Sequence, residues 1–210
     1  MSKLKILFAT GNQNKVKEVQ KLVENDEIEI LSLKDLKLDN LDVEENGKTF
    51  EDNAKIKAEF FSKHTDLPVI ADDSGLVIDA LNGEPGVYSA RYLGETLSFK
   101  DKCKIILEKI KELKSIKDRS ARFVCVACLA KNGKIILCKE GRVEGYISFE
   151  LRGEKGFGYD PIFFYPQLNM TFAEMPLEEK NKISHRFKAF KSLFEEIKKL
   201  PELTREVSNS

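Results

Sequence analysis

Two apolar runs, 120–130 and 134–140, flank the dipeptide Asn132-Gly133. A two-residue hairpin turn needs positive φ at both central positions, and Asn-Gly is the pair that tolerates this best. The sequence therefore holds an antiparallel pair of strands. Before it, apolar runs alternate with helical patterns. Lys3 to Thr10 reads as a strand ending in Thr10-Gly11-Asn12, with Val16, Val19, Leu22 and Val23 at helical spacing behind it. Ile28 to Leu33 is a second strand, followed by an acidic, irregular stretch over 34–48. Thr49 caps the next helix, with Asp52 three residues on and Phe50, Ala54, Ala58 and Phe61 on one face. Leu67 to Ala71 is a third strand; Asp72-Asp73-Ser74-Gly75 reads as the turn at its C-terminal end, and Leu76 to Leu81 as a further strand. β-α units combined with a hairpin predict an α/β fold with a mixed β-sheet.

Ser98 caps a helix carrying Phe99, Cys103, Ile106 and Ile110. The loop Gly156–Pro161 precedes the apolar Ile162-Phe-Phe164, and Pro176 suits the first turn of a short helix. Ser184 caps a longer one, with Phe187, Phe190, Phe194 and Ile197 facing inward. Residues 1–200 read as a single domain and 201–210 as a polar tail. Apolar residues make up 41% and Phe alone contributes 14, enough for a sizeable core.

No apolar run approaches the roughly 18 residues that span a bilayer. The first apolar stretch runs into charged residues without a small-residue cleavage site, so it reads as a strand and the chain as cytoplasmic, with no membrane partner. Lys plus Arg and Asp plus Glu both number 35, which argues against a nucleic-acid partner. Cys125 and Cys128 form a Cys-x-x-Cys, but on a strand residues three apart face opposite sides and cannot share one metal. All four cysteines, with Cys103 and Cys138, are read as buried free thiols.

Three groups of residues carry chemistry. Thr10-Gly11-Asn12-Gln13-Asn14-Lys15 joins a strand to a helix N-terminus, where backbone N–H groups and the helix dipole favour phosphate. It lacks the Gly-Lys-Ser/Thr ending of a Walker loop. Asp72 and Asp73, with Glu44 and Glu45 upstream, supply hard oxygens of the kind magnesium takes together with substrate phosphates. One acid of the Asp pair is assigned to structure and the other to metal and water. Lys180 and His185 would lie about 140° apart on a continuous helix; a break near Ser184 brings both to one ligand. A Ser74–His185–Asp hydrolase has no Gly-x-Ser-x-Gly elbow behind it and is set aside.

Taken together, these residues resemble the inosine triphosphate pyrophosphatase family, also called XTP/dITP diphosphatases. The matching pieces are Thr10-Gly-Asn-x-x-Lys15, Thr49-Phe-Glu-Asp-Asn-Ala54, Ala71-Asp-Asp-Ser-Gly-Leu76, Pro85-Gly-Val-Tyr-Ser-Ala-Arg91, Gly156-Phe-Gly-Tyr-Asp-Pro161 and Ser184-His-Arg186. They run in family order along nearly the whole chain. Phe187 departs from the pattern, since relatives commonly have Gly there.

The resemblance implies an elongated two-lobed α/β fold around a mixed sheet, with the active site in the cleft between lobes. It implies Mg²⁺-assisted hydrolysis of ITP, dITP and XTP to monophosphate and pyrophosphate, and a homodimer. Thr10, Gly11, Asn12, Gln13, Asn14 and Lys15 would hold the triphosphate, with Lys57 pointing to the phosphates and Ser74 contacting substrate. Asp73 would be proton acceptor and metal ligand, beside Glu45, or Glu44, as the second metal ligand. Phe157, Gly158, Tyr159, Asp160, Lys180, His185 and Arg186 would form the nucleobase pocket. The alternatives are a Maf-like nucleotide pyrophosphatase, which a substrate panel distinguishes, and a non-catalytic nucleotide sensor or RNA-binding module.

Overall fold

A computed structural model describes residues 3–201 and 203. The strands are β1 (Leu4–Phe8), β2 (Ile28–Ser32), β3 (Val69–Ile78), β4 (Ser120–Lys131), β5 (Lys134–Ile147), β6 (Phe163–Tyr165) and β7 (Met170–Thr171). The helices are α1 (Gln13–Leu22), α2 (Phe50–Phe61), α3 (Phe99–Lys109), α4 (Leu177–Ile183) and α5 (His185–Ile197), with short 3₁₀ turns between elements. The sheet runs β2-β1-β3-β4-β5-β6-β7. β1 is parallel to β2 and β3, whereas β5, β6 and β7 pair antiparallel. The mixed α/β class is as expected.

The chain divides into two compact units. The first holds the chain up to Asp73, Cys125–Gly141 and the chain from Arg186; the second holds Ser74–Val124 and Arg142–His185. In the first unit, strand alternation produces two buried faces. Ile6, Phe8, Ile30, Ile70, Cys125 and Ala127 pack with α1 and α5, where Phe8 meets Phe190 edge-on at 5.2 Å. Leu7, Ala9, Val69, Ala71, Val126 and Cys128 pack with α2. The core of the second unit gathers Cys103, Ile106, Phe123, Tyr159, Phe163 and Phe172. The buried Arg119 donates to the carbonyls of Ile110 and Leu113 after α3 and of Ile147 and Ser148 after β5, which fixes α3 against the sheet end.

Local signals were sound at the helix starts. Thr49 and Asp52 form a full capping box on α2, and Ser98 accepts from the Asp101 N–H at α3. The Asn132-Gly133 turn has φ values of 52° and 74°, and β5 continues past 140 to Ile147. Pro176 stands at the N-cap of α4, one place before the expected first turn. The break near Ser184 is present: α4 ends at Ile183 and α5 begins at His185. On α5 Phe190, Phe194 and Ile197 are buried, while Phe187 is only half-buried. Of the expected tail, Leu203 is buried in the first unit's core; residues 202 and 204–210 lie outside the described residues.

Two expectations need correction. Asp72-Asp73-Ser74-Gly75 is not a turn; β3 passes through it unbroken from Val69 to Ile78. Turn-forming composition yields here because both acids find partners from opposite faces of an extended strand. Nor are all four cysteines free. Cys128 and Cys138 form a disulfide between β4 and β5, with Cα atoms 4.1 Å apart, while Cys103 and Cys125 are free and buried. Cys125 and Cys128 do lie on opposite faces, so the face argument was right about that pair and silent about the neighbouring strand.

Candidate active site

In the first unit the site starts at the β1–α1 turn. Asn12 is the N-cap of α1, and its Oδ1 accepts the N–H groups of Asn14 and Lys15 at 3.0 and 3.3 Å. The Thr10 hydroxyl accepts from Asn12 N at 3.1 Å, which tightens the turn. Those two helix N–H groups are thus already capped. Gly11, Asn12, Gln13 and Asn14 are exposed, and a Cβ on Gly11 would meet nothing within 4 Å. The turn borders open space where an anion can approach the helix terminus.

Lys15 reaches back to β3. Its Nζ sits 3.1 and 3.0 Å from the two carboxylate oxygens of Asp72. Asp72 is fully buried and also receives Arg186 Nε at 3.5 Å and the Cys125 thiol at 3.6 Å. Burial pushes its carboxyl up, but Lys15, then Arg186 and Lys57, outweigh this and hold it well below the usual carboxylate range. Arg186 places Nη1 2.6 Å from Glu18 Oε2. Burial favours its neutral form, and Glu18 and Asp72 overcome that to hold its pKa above the ordinary value.

Asp73, the next residue on the strand, faces the α2 side. Asn53 Nδ2 donates to its Oδ2 at 3.0 Å, and Asn53 Oδ1 accepts from Gly47 N at 2.8 Å. Its pKa is raised to about 6, first by burial and further by the charge of Glu45, against the opposing pull of Lys57, the Asn53 hydrogen bond and Lys15. Lys57 Nζ lies 2.8 Å from Glu45 Oε1. Burial lowers the Lys57 pKa, but Asp72, Glu45 and Asp73 together raise it above the ordinary value. Glu44 is exposed. Among the described residues no three His, Cys, Asp or Glu side chains cluster as a closed metal cage. Magnesium does not need one, since one or two carboxylates plus substrate phosphates suffice. The charge of Glu45 adds to the raised Asp73 pKa, and carboxylate oxygens of this kind are the hard donors a divalent cation takes.

In the second unit, Asp160 organises the Gly156–Pro161 loop. Its Oδ2 accepts from Phe157 N at 3.0 Å and from Lys180 Nζ at 2.7 Å. Lys180 is 2% exposed, and its ammonium lies 4.7 Å from the Phe157 ring centre. Gly156 has φ 71°, and a Cβ there would stand 2.1 Å from Asp160 Oδ2, so only glycine fits. Gly158 also has positive φ, 64°. Tyr159 is buried with its hydroxyl on the Ser89 carbonyl at 2.7 Å. His185 is buried too, stacked on Phe123 at 4.7 Å with a 13° interplanar angle. Ser74 is half-buried and opens this unit on β3.

The structure thus gathers Lys15, Lys57, Glu45 and Asp73 with Arg186 in one unit, and Phe157, Tyr159, Asp160, Lys180 and His185 in the other. Arg186 falls in the first unit and pairs there with Glu18 and Asp72. Sequence reasoning missed Glu18, Asn53 and Ser89. Asn53 and Ser89 lay inside quoted motifs without a role; Glu18 carried no signal, being one more charge on a Lys-rich helix.

The fold and this charged cluster define an α/β protein equipped to hold a phosphorylated ligand. The chain belongs to the Ham1 family, whose model matches residues 6–196. It is 48% identical over 196 residues to the dITP/XTP pyrophosphatase of Dictyoglomus thermophilum, covering 92% of this chain and 94% of that protein. It is 49% identical over 184 residues to the dITP/XTP pyrophosphatase of Desulfotalea psychrophila, covering 88% and 81%. Among solved structures, a HAM1 protein from Coxiella burnetii matches with a TM-score of 0.84 at 41% identity, covering 94% of this chain and all 100% of that one.

Proposed function

We propose that this chain hydrolyses non-standard purine nucleoside triphosphates, XTP, dITP and ITP, to the monophosphate and pyrophosphate. The observation that carries the reading is Asp73: a mostly buried carboxylate with raised proton affinity, held by Asn53 and flanked by Lys57 and Glu45. A base of that kind accepts a proton from water near neutral pH. The dITP/XTP activity named for the relatives supplies the substrate class.

The water oxygen adds to the α-phosphorus, its proton passes to the Asp73 carboxylate, and the bond from the α-phosphorus to the bridging oxygen breaks. Pyrophosphate leaves. Lys15 and Lys57 offset negative charge on the phosphates, and the exposed Gly11–Asn14 turn gives them room. Asp73 and Glu45 are the residues that would hold Mg²⁺, which supplies charge neutralisation and orientation of the phosphates when bound. Phe157 stacks on the base, and Lys180 and His185 present donors to a 6-oxo group. Adenine carries an amino group there and leaves a donor unpaired.

The role of such an enzyme is removal of deaminated purines from the nucleotide pool. It works as a homodimer in the cytoplasm, without nucleic-acid or membrane partners. The balanced charge supports the absence of a polyanion partner, and no helix among the described residues is long and apolar enough to cross a membrane. A pyrophosphate-release assay over XTP, dITP, ITP, ATP and GTP, with and without Mg²⁺, tests the reading. Equal rates on ATP and XTP, or no pyrophosphate from any of them, would overturn it.

A further inference from the structure

The Pro85–Arg91 turn bears no role in the chemistry above, yet its carbonyls take up side chains from two other elements of the second unit. Ser89 O accepts the Tyr159 hydroxyl at 2.7 Å, and Ala90 O accepts Lys102 Nζ at 3.0 Å. The Ser89 hydroxyl itself donates to Gly86 O at 2.6 Å and accepts from Leu76 N, on β3, at 2.9 Å. Ser89 is 5% exposed, and its bonds with Leu76 N and the Tyr159 hydroxyl are buried, so both are costly to leave unmade. One buried serine therefore ties β3, its own turn and the Gly156–Pro161 loop together.

Tyr159 is the loop's end of this tie. Its ring packs edge-on against Phe99 of α3 at 5.3 Å, and Lys102 lies 4.9 Å over the other partner's ring, that of Phe99. The Cys103 thiol touches the neighbouring Gly158 carbonyl at 3.8 Å. The Tyr159 hydroxyl is thus taken up by Ser89, and its ring is packed against Phe99. Two residues earlier, Phe157 is only partly buried, and its backbone N–H is held by Asp160. The loop is thus pinned on both sides of Gly158, at Phe157 and at Tyr159, where two positive-φ glycines, 156 and 158, would otherwise leave the Phe157 position poorly determined.

We propose that Tyr159 and Ser89 are positioning residues for base recognition: their hydrogen bond fixes the loop so that Phe157 meets the purine, and Tyr159 itself touches no substrate. This rests on the pyrophosphatase reading above. Tyr159→Phe keeps the ring and removes the bond. The expected result is a rise in KM for XTP of roughly five- to ten-fold, the scale of one net hydrogen bond, with kcat little changed. Adenine offers Phe157 the same ring face as xanthine, so KM for ATP should rise by a similar factor. Product inhibition separates the effect from general loosening: XMP should inhibit five- to ten-fold more weakly, while inhibition by pyrophosphate is unaltered. Ser89→Ala, which leaves the carbonyl but frees the turn that carries it, should move the same quantities in the same direction.

Unchanged KM and XMP inhibition in both variants would overturn the proposal, as would equal losses for XMP and pyrophosphate. If Tyr159→Phe does not fold, Ser89→Ala decides alone by the same criteria. Wild-type protein that releases no pyrophosphate from XTP would overturn the parent reading and this one with it; an active wild type with an indifferent variant overturns the positioning role only.

Discussion

Arg186 and Lys15 share one carboxylate, that of Asp72, at 3.5 and 3.0 Å, and Arg186 also binds Glu18 at 2.6 Å. Glu18 and Lys15 both lie on α1, Arg186 on α5 and Asp72 on β3. The arginine of Ser-His-Arg is thereby built into a frame of α1, β3 and α5 in the first unit. Its neighbour His185 belongs to the other unit's core, stacked on Phe123.

Arg186→Ala is therefore expected to behave as a defect of that frame. Two buried carboxylates lose a partner, and breaking a buried pair in this way costs roughly 3–5 kcal/mol of stability. Lys15 is then no longer held by a balanced Asp72, so kcat/KM should fall by similar factors for XTP and ATP. Kinetics on both nucleotides, with urea unfolding of the same preparations, checks this. A loss confined to XTP would return Arg186 to the base pocket, where the motif alone had placed it.

Asp73→Asn should leave a folded protein with turnover reduced by roughly 10²–10⁴-fold, the range of general-base contributions. The asparagine side chain can still accept from Asn53, so secondary structure and melting temperature should be close to wild type. Near-normal kcat in a folded variant would remove Asp73 from the reaction.

Why did the sequence show Asp73 and hide its setting? The residue types and their order marked it, because two adjacent acids after an apolar run are rarely structural filler. The composition Asp-Asp-Ser-Gly, however, is that of a turn, and nothing local shows that Lys15 and Arg186 approach one face of the strand and Asn53 the other. Capping residues and the Asn132-Gly133 turn act within a few positions of themselves, so they were legible. The Glu18–Arg186 pair and the Tyr159–Ser89 bond join residues separated by 168 and 70 positions, and each depends on the finished packing. The same holds for the disulfide: the face rule kept Cys125 and Cys128 from sharing a metal but could not see Cys138 arriving on the adjacent strand.

That disulfide makes a simple count. Protein purified without reductant and unfolded in denaturant should show two reactive thiols, Cys103 and Cys125, and four after reduction. In the native state both free thiols should be inert, since burial pushes Cys103 up to about 12 and Cys125 well above its ordinary value. Cys128→Ser should lower stability by about 2–3 kcal/mol, the cost of opening a short loop in the unfolded chain, with kcat/KM unchanged. Four reactive thiols before reduction would contradict the bond.

Gly156→Ala tests the base loop from its backbone. The position holds φ 71°, and the added methyl carbon would lie 2.1 Å from the Asp160 oxygen that binds Lys180 and Phe157 N. Strain of about 1–2 kcal/mol from the left-handed backbone adds to the displacement of that carboxylate. The expected outcome is a raised KM for XTP with kcat reduced much less, because the groups assigned to the bond-breaking step sit elsewhere. A fall in kcat at constant KM would show instead that the loop acts on the reaction itself.

The last prediction concerns which phosphorus is attacked. Lys57 and Glu45 act on the Asp73 carboxylate proposed as base, and the exposed Gly11–Asn14 turn lies beside Lys15, which Asp72 holds in turn. A triphosphate whose distal groups lie at that helix terminus, where N–H groups and dipole favour negative charge, presents its α-phosphorus to the base. Hydrolysis of XTP in ¹⁸O-labelled water should then place one heavy oxygen in XMP and none in pyrophosphate. Attack at the β-phosphorus gives the same two products with the label in pyrophosphate, so product identity alone does not decide the matter and the isotope does. Attack at the γ-phosphorus gives XDP and labelled orthophosphate. Mass spectrometry of the products after a single turnover distinguishes the three. Label in pyrophosphate would mean that Asp73 faces the middle phosphate and the triphosphate sits one unit further along the site; label in orthophosphate would reverse its direction altogether.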